Sequence, residues 1–218
     1  MWFAGPAPQT SPIRHGLLRP GFHLEPGMRV GLLGGSFNPA HAGHAHIAEV
    51  ARRRLGLDRV IWLVSPQNPL KDARQSAPLS QRLASARAMA ARPAMTVSDV
   101  ETRMGTRYTV DALRALKARF PGVRFVWLMG ADNLATIHRW RGWTDIFDLV
   151  PIAVIARPGR LAAARTAPAA RRFAAARLPS SQALRLAGQK APAWVYLRAR
   201  LNHASSSAIR AAANPPHS

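Results

Sequence analysis

The sequence predicts an α/β domain built on a parallel sheet, and three observations carry that prediction. Short apolar runs alternate with stretches whose apolar residues recur at helical spacing, the pattern of consecutive βαβ units. Several of the runs stop at glycine or proline, as at Gly34-Gly35, Ser65-Pro66 and Gly130. The chain has 218 residues, of which 48% are hydrophobic, enough for one such domain with a real core.

Taken in order, residues 1–27 are rich in proline and glycine, lack a period and read as a flexible extension. Residues 28–218 read as a single domain with a C-terminal helical portion. Met28 opens the first strand and is also a candidate translation start. Met28 to Leu33 is the first strand. His44 to Leu55 carries Ile47, Val50, Ala51 and Leu55 on one helical stripe. Val60 to Val64 is the second strand, and Leu79, Leu83, Ala86 and Ala90 form the next stripe. Met95 to Val100 reads as a strand, and Val110, Leu113, Leu116 and Phe120 as a helix. Phe125 to Met129 and Ile152 to Ala156 are buried-type strands, with a short helix from Trp143 to Leu149 between them. Residues 160–190 are Ala/Arg-rich and weakly patterned, with helical segments expected. Trp194 to Leu197 is a last strand. Ser205 to Ala213 is a final helix, since serine is a good N-cap.

Composition narrows the functions. There is no cysteine, which excludes disulfides, thiolate catalysis and cysteine-based zinc sites. No run approaches the length of a membrane span, and proline and arginine interrupt any signal-peptide pattern near the start. A cytoplasmic setting with no membrane partner is therefore expected. Lysine plus arginine is 31 against 10 acidic residues, a formal net charge of +21. Such a balance attracts polyanions or phosphorylated metabolites, though many arginines fit solvated helix faces equally well. No basic stripe interleaved with aromatics is present, so no specific nucleic-acid partner is expected.

The chemistry concentrates at Gly34-Gly35-Ser36-Phe37-Asn38-Pro39-Ala40-His41-Ala42-Gly43-His44. Glycines at a strand end allow unusual backbone angles and close approach to a phosphate. The helix that follows offers unpaired N–H groups and a positive dipole end. The stretch is neither a Walker A loop nor a Gly-x-Gly-x-x-Gly fingerprint. Two imidazoles three residues apart at a helix entrance can donate to phosphate oxygens and stabilise charge at a reacting phosphorus. Taken alone, the pair is equally explained by two helix-capping histidines. Without cysteine or a nearby acid it makes a poor zinc site.

Residues 34–44 resemble the Gly-Gly-Ser/Thr-Phe-Asp-Pro-x-His-x-Gly-His signature of the bacterial nicotinate-nucleotide adenylyltransferases, with Asn38 where that family has aspartate. Ser65-Pro66-Gln67-Asn68-Pro69-Leu70-Lys71 is similar to the family's Asn-Pro-x-Lys loop. Tyr108-Thr109-x-Asp111 resembles its Ser-Tyr-Thr segment. Gly130-Ala131-Asp132-Asn133-Leu134 resembles its Gly-Ala-Asp block, with Trp140 at the spacing of its tryptophan. Ser205-Ser206-Ser207-Ala208-Ile209-Arg210 resembles its terminal Ser-Ser-Thr-x-Ile-Arg. The motifs fall in order over about residues 28–213, and the Gly-Ala-Asp…Trp block sets them apart from pantetheine-phosphate and cytidylyl relatives.

The resemblance implies a Rossmann-like parallel sheet flanked by helices, of nucleotidyltransferase type. It also implies transfer of adenylate from ATP to nicotinate mononucleotide, giving deamido-NAD and pyrophosphate. On that reading His41, His44, Lys71 and Arg210 are catalytic. Gly34, Gly35, Ser36, Phe37, Gly130, Asp132 and Ser206 bind ATP. Asn68, Tyr108, Thr109 and Trp140 bind the mononucleotide. Mg²⁺ is expected on the triphosphate, held by substrate and water and not by a carboxylate cluster. Each residue also has a plainer reading. Lys71 suits a solvated loop, Asp132 and Thr109 suit helix caps, and Trp140 suits a core, although Trp143 nearby is the better core candidate. Asn38 is expected to shape the turn. Transfer to nicotinamide mononucleotide or another phosphate acceptor is the alternative, a basic nucleic-acid-binding protein ranks below it, and the oligomeric state is left open.

Overall fold

The computed structural model describes residues 21–66, 76–156, 166–198 and 206–213. Seven strands form one sheet in the order β3-β2-β1-β4-β5-β7-β6. They are β1 (Arg29–Gly35), β2 (Arg59–Val64), β3 (Met95–Ser98), β4 (Arg124–Gly130), β5 (Ile152–Ile155), β6 (Arg177–Leu178) and β7 (Trp194–Leu197). Every neighbouring pair is parallel. The helices are α1 (Ala42–Leu55), α2 (Leu79–Met89), α3 (Val100–Arg103), α4 (Thr109–Arg119), α5 (Ala131–Thr136), α6 (Trp143–Leu149), α7 (Pro168–Arg172) and α8 (Ser206–Ala213). A 3-10 stretch covers Ser180–Gly188.

The strands are apolar along their length because both faces of the sheet are covered. Side chains alternate across each strand. Val30, Leu32, Ile61, Trp127 and Val154 join one core with α4, α6 and α7. Leu33, Trp62, Leu128 and Ile155 join the other with α1, α2 and the 3-10 stretch. The chain winds outward through β1, β2 and β3, then returns to place β4 on the other side of β1. The register of β1 with β4 runs from Arg29–Arg124 to Leu33–Leu128, whereas that with β2 continues to Gly35–Val64. The strands that flank the switch thus part at their carboxyl ends, where such sheets bind ligands.

Several expectations change. The third strand stops at Ser98, because Asp99 begins the turn into α3. Across the described part of 160–190 the expected helical segments are α7 and two 3-10 stretches, Ala174–Ala176 and Ser180–Gly188, and the two-residue β6 between them was not foreseen. Residues 21–27, read as part of the extension, are packed on the domain. Leu24 is buried, the Phe22 ring stacks on Phe120 at 5.7 Å, and Gly27 N–H donates to Gly122 O at 2.9 Å. Among the described residues no helix is long and apolar enough to cross a membrane.

Candidate active site

The first strand ends in Gly34 and Gly35 for reasons of space. A Cβ on Gly34 would meet the Trp127 ring at 2.3 Å, and one on Gly35 would meet the Phe37 ring at 3.1 Å. Neither glycine occupies the left-handed region, so the expectation of unusual backbone angles there is not met. The strained position is Phe37, at φ 45°. Its side chain is buried, stacked on Trp62 at 5.2 Å and edge-on to His44 at 4.9 Å. The Phe37 side chain therefore anchors the turn to the core.

His41 is the N-cap of α1 and His44 its third residue, and the two complete a capping box. His41 Nδ1 accepts from Gly43 N–H at 3.1 Å, and His44 Nδ1 accepts from His41 N–H at 3.3 Å. The rings lie against each other with centroids 3.8 Å apart and planes tilted by 34°. A ring nitrogen that accepts from a backbone N–H carries no proton itself. The geometry therefore assigns both rings the tautomer protonated on Nε2, each able to donate from that nitrogen. The capping reading and the catalytic reading are thus compatible: Nδ1 serves the helix and Nε2 can serve a ligand.

The turn is held from four directions. Asn38 is buried, and its Oδ1 accepts from Ala77 N–H at 3.2 Å. The Ser85 hydroxyl accepts from Ala40 N–H at 3.2 Å. From α8, Ser206 Oγ donates to Pro39 O at 2.9 Å and Arg210 Nη1 donates to Asn38 O at 2.6 Å. The structure therefore brings Ser206 and Arg210 to the histidine turn across more than 160 residues of sequence, and both grip its backbone. The predicted Asn68 and Lys71 lie outside the described residues.

Arg82, unremarked in the sequence, is buried in the same place. Its Nε donates to Ala77 O at 2.9 Å, Nη1 to Ser36 O at 3.0 Å and Ser65 O at 2.7 Å, and Nη2 to Pro66 O at 2.7 Å. Burial pushes its pKa down from the ordinary value. The signal was present: Arg82 falls on the face shared by Leu79 and Ala86, where a solvated arginine has no place.

Across the switch, Gly130 ends β4 and is the N-cap of α5, so Asp132 sits inside the first turn and is not the cap. A carboxylate there suits the helix's positive end. Tyr108 is the N-cap of α4, and Thr106 Oγ1 accepts its N–H at 3.3 Å, so Thr109 does not cap either. The Arg141 guanidinium lies over the Tyr108 ring, 4.6 Å from its centre. Tyr108, Trp140 and Trp143 are half-buried and pack on the core that includes Met129, Ala131 and Leu134. Trp143 meets Phe147 and Phe173 edge-on at 6.4 and 6.0 Å. Nearby, α3 carries the buried Glu101, whose carboxyl is pushed up to about 7 by burial.

A switch-point crevice in a parallel sheet, with a His-x-Gly-His helix entrance on one side and a Gly-Ala-Asp turn on the other, defines a nucleotidyltransferase-type domain. The cytidylyltransferase-like family model matches residues 32–212. At the level of fold, the chain is similar to "Plasmodium falciparum nicotinic acid mononucleotide adenylyltransferase complexed with NaAD", with a TM-score of 0.66 and 15% identity over 88% of this chain and 86% of that one. It is 64% identical over 183 residues, 84% of this chain and 97% of the relative, to a Caulobacter sp. (strain K31) protein named "Probable nicotinate-nucleotide adenylyltransferase". A relative of the same name from Methylorubrum extorquens is 53% identical over 84% of this chain and 99% of its own length. The chain belongs to the nicotinate-nucleotide adenylyltransferase family.

Proposed function

We propose that the protein transfers adenylate from ATP to nicotinate mononucleotide, giving deamido-NAD and pyrophosphate. A phosphate oxygen of the mononucleotide forms the new bond to the α-phosphorus of ATP, the bond between that phosphorus and the α–β bridging oxygen breaks, and pyrophosphate leaves. The nucleophile is already anionic, so the protein's tasks are positioning and charge neutralisation. The observation that carries this reading is the capping box, which assigns the ring proton of His41 and His44 to Nε2 at the mouth of the switch crevice. His44 then stabilises charge as the α–β bond breaks. Arg210 and Lys71 add positive charge, and the α1 N-terminus adds its dipole.

Mg²⁺ enters this reading on the triphosphate, where it neutralises phosphate charge. Its ligands would be substrate oxygens and water. Tyr108, Thr109 and Trp140 supply the pyridine end, Trp140 by stacking. The cytoplasm, with its ATP, is the proposed setting.

Pyrophosphate release assayed side by side with nicotinate mononucleotide, nicotinamide mononucleotide and pantetheine phosphate tests the reading. Preference for the nicotinate substrate by at least about tenfold in kcat/KM, or roughly 1.4 kcal/mol, is expected. Equal or better use of another acceptor overturns the substrate assignment.

A further inference from the structure

We propose that Arg82 is the positioning residue of the phosphate turn, one guanidinium that clamps the loops after β1 and β2 to the entrance of α2 and thereby sets where His41 and His44 stand. The proposal rests on the adenylyl-transfer reading of that turn.

Its partners come from three separate chain segments: Ser36 from the turn itself, Ser65 and Pro66 from the loop that leads toward Asn68 and Lys71, and Ala77 from the approach to α2. All four acceptors are main-chain carbonyls, so the clamp fixes backbone. Ala77 is also tied to the turn through its other backbone group, because its N–H donates to Asn38 Oδ1. Ser85, one turn along α2, accepts from Ala40 N–H. Arg82, Asn38 and Ser85 thus lock α2 against residues 36–40, and His41 follows directly. A planar fork with donors on three nitrogens can bridge three loops at once, whereas lysine, with one nitrogen, cannot.

The clamp also has an electrostatic side. Carbonyl dipoles satisfy the guanidinium's hydrogen bonds but do not cancel its charge. Among the described residues no carboxylate pairs with Arg82, and removing a buried charge from its partners is costly.

The test is a double-mutant cycle read together with the ring-nitrogen chemical shifts of His41 and His44. Arg82→Lys should lower kcat by about tenfold or more while the chain stays folded by circular dichroism. On a His41→Ala, His44→Ala background the same change should cost less than about twofold, because both donors it positions are gone. The ring-nitrogen shifts of His41 and His44 should move in Arg82→Lys as the capping geometry loosens. If Arg82→Lys does not fold, Arg82→Gln, which keeps an amide donor, takes its place in the same cycle. Near-normal kcat, or an equal loss on both backgrounds with unmoved ring shifts, overturns the proposal. Should the wild-type chain transfer no adenylate, the function reading fails on its own, and the ring shifts alone decide the role of Arg82.

Discussion

The two sides of the switch crevice are held by different forces. The turn carrying His41 and His44 is fixed by directional hydrogen bonds from Arg82, Asn38, Ser85, Ser206 and Arg210, nearly all of them to main chain. The acceptor side is fixed by ring contacts and apolar packing, with Trp143 between Phe147 and Phe173 and Arg141 over Tyr108. Directional bonds hold a donor within the narrow tolerance that transition-state stabilisation needs. Ring packing holds a flat surface in place, which is enough to bind a flat heterocycle. On the proposed reading, the difference teaches that chemistry and recognition are separated in space and in the kind of force that maintains each.

The sharpest way to probe the packed side is Glu101. Burial makes its carboxyl bind a proton more tightly in the folded chain, at about 7, than an ordinary glutamate does at 4.5. The stability linked to that proton is fully present below 4.5, is lost as pH rises through 7, and stays lost above it. The difference amounts to about 3 kcal/mol. Glu101→Gln should therefore raise the melting temperature at pH 8 far more than at pH 4.5. An equal shift at both would show that Glu101 is not desolvated.

Trp143→Ala should cost about 2 kcal/mol by denaturant unfolding, with KM for the mononucleotide nearly unchanged once the protein is folded. A large rise in that KM would move Trp143 from packing to recognition and blur the division. The smallest effect is expected at Asn38→Asp. Either side chain offers an oxygen to Ala77 N–H, and a carboxylate there would strengthen that bond by about 1 kcal/mol at most. Turnover should stay within about threefold of the parent. A tenfold gain would mean that Asn38 limits the chemistry.

The division also explains what was legible in the sequence. The buried strands read clearly, because a sheet covered on both faces demands continuous apolar runs such as Arg59–Val64 and Arg124–Gly130. The histidine turn read clearly because its residues are adjacent in sequence. Ser206 and Arg210 were reached through resemblance, and no local pattern places them on Pro39 and Asn38. Arg82 was missed because charge is ordinarily read as exposure, and its four acceptors are carbonyls that leave no mark on composition. β6 is two residues long, shorter than any period can reveal. The packing of Phe22 and Leu24 was hidden by the prolines and glycines around them.

The central claim, that the turn acts on the transition state and the acceptor side on binding, is tested most directly by measuring kcat and both KM values for His44→Ala and Trp140→Ala. His44→Ala should lose about 10²-fold or more in kcat with KM for ATP little changed. Trp140→Ala should raise KM for nicotinate mononucleotide about tenfold, leaving KM for ATP and kcat near the parent values. Near-normal turnover in His44→Ala, or equal effects of Trp140→Ala on both substrates, would contradict it.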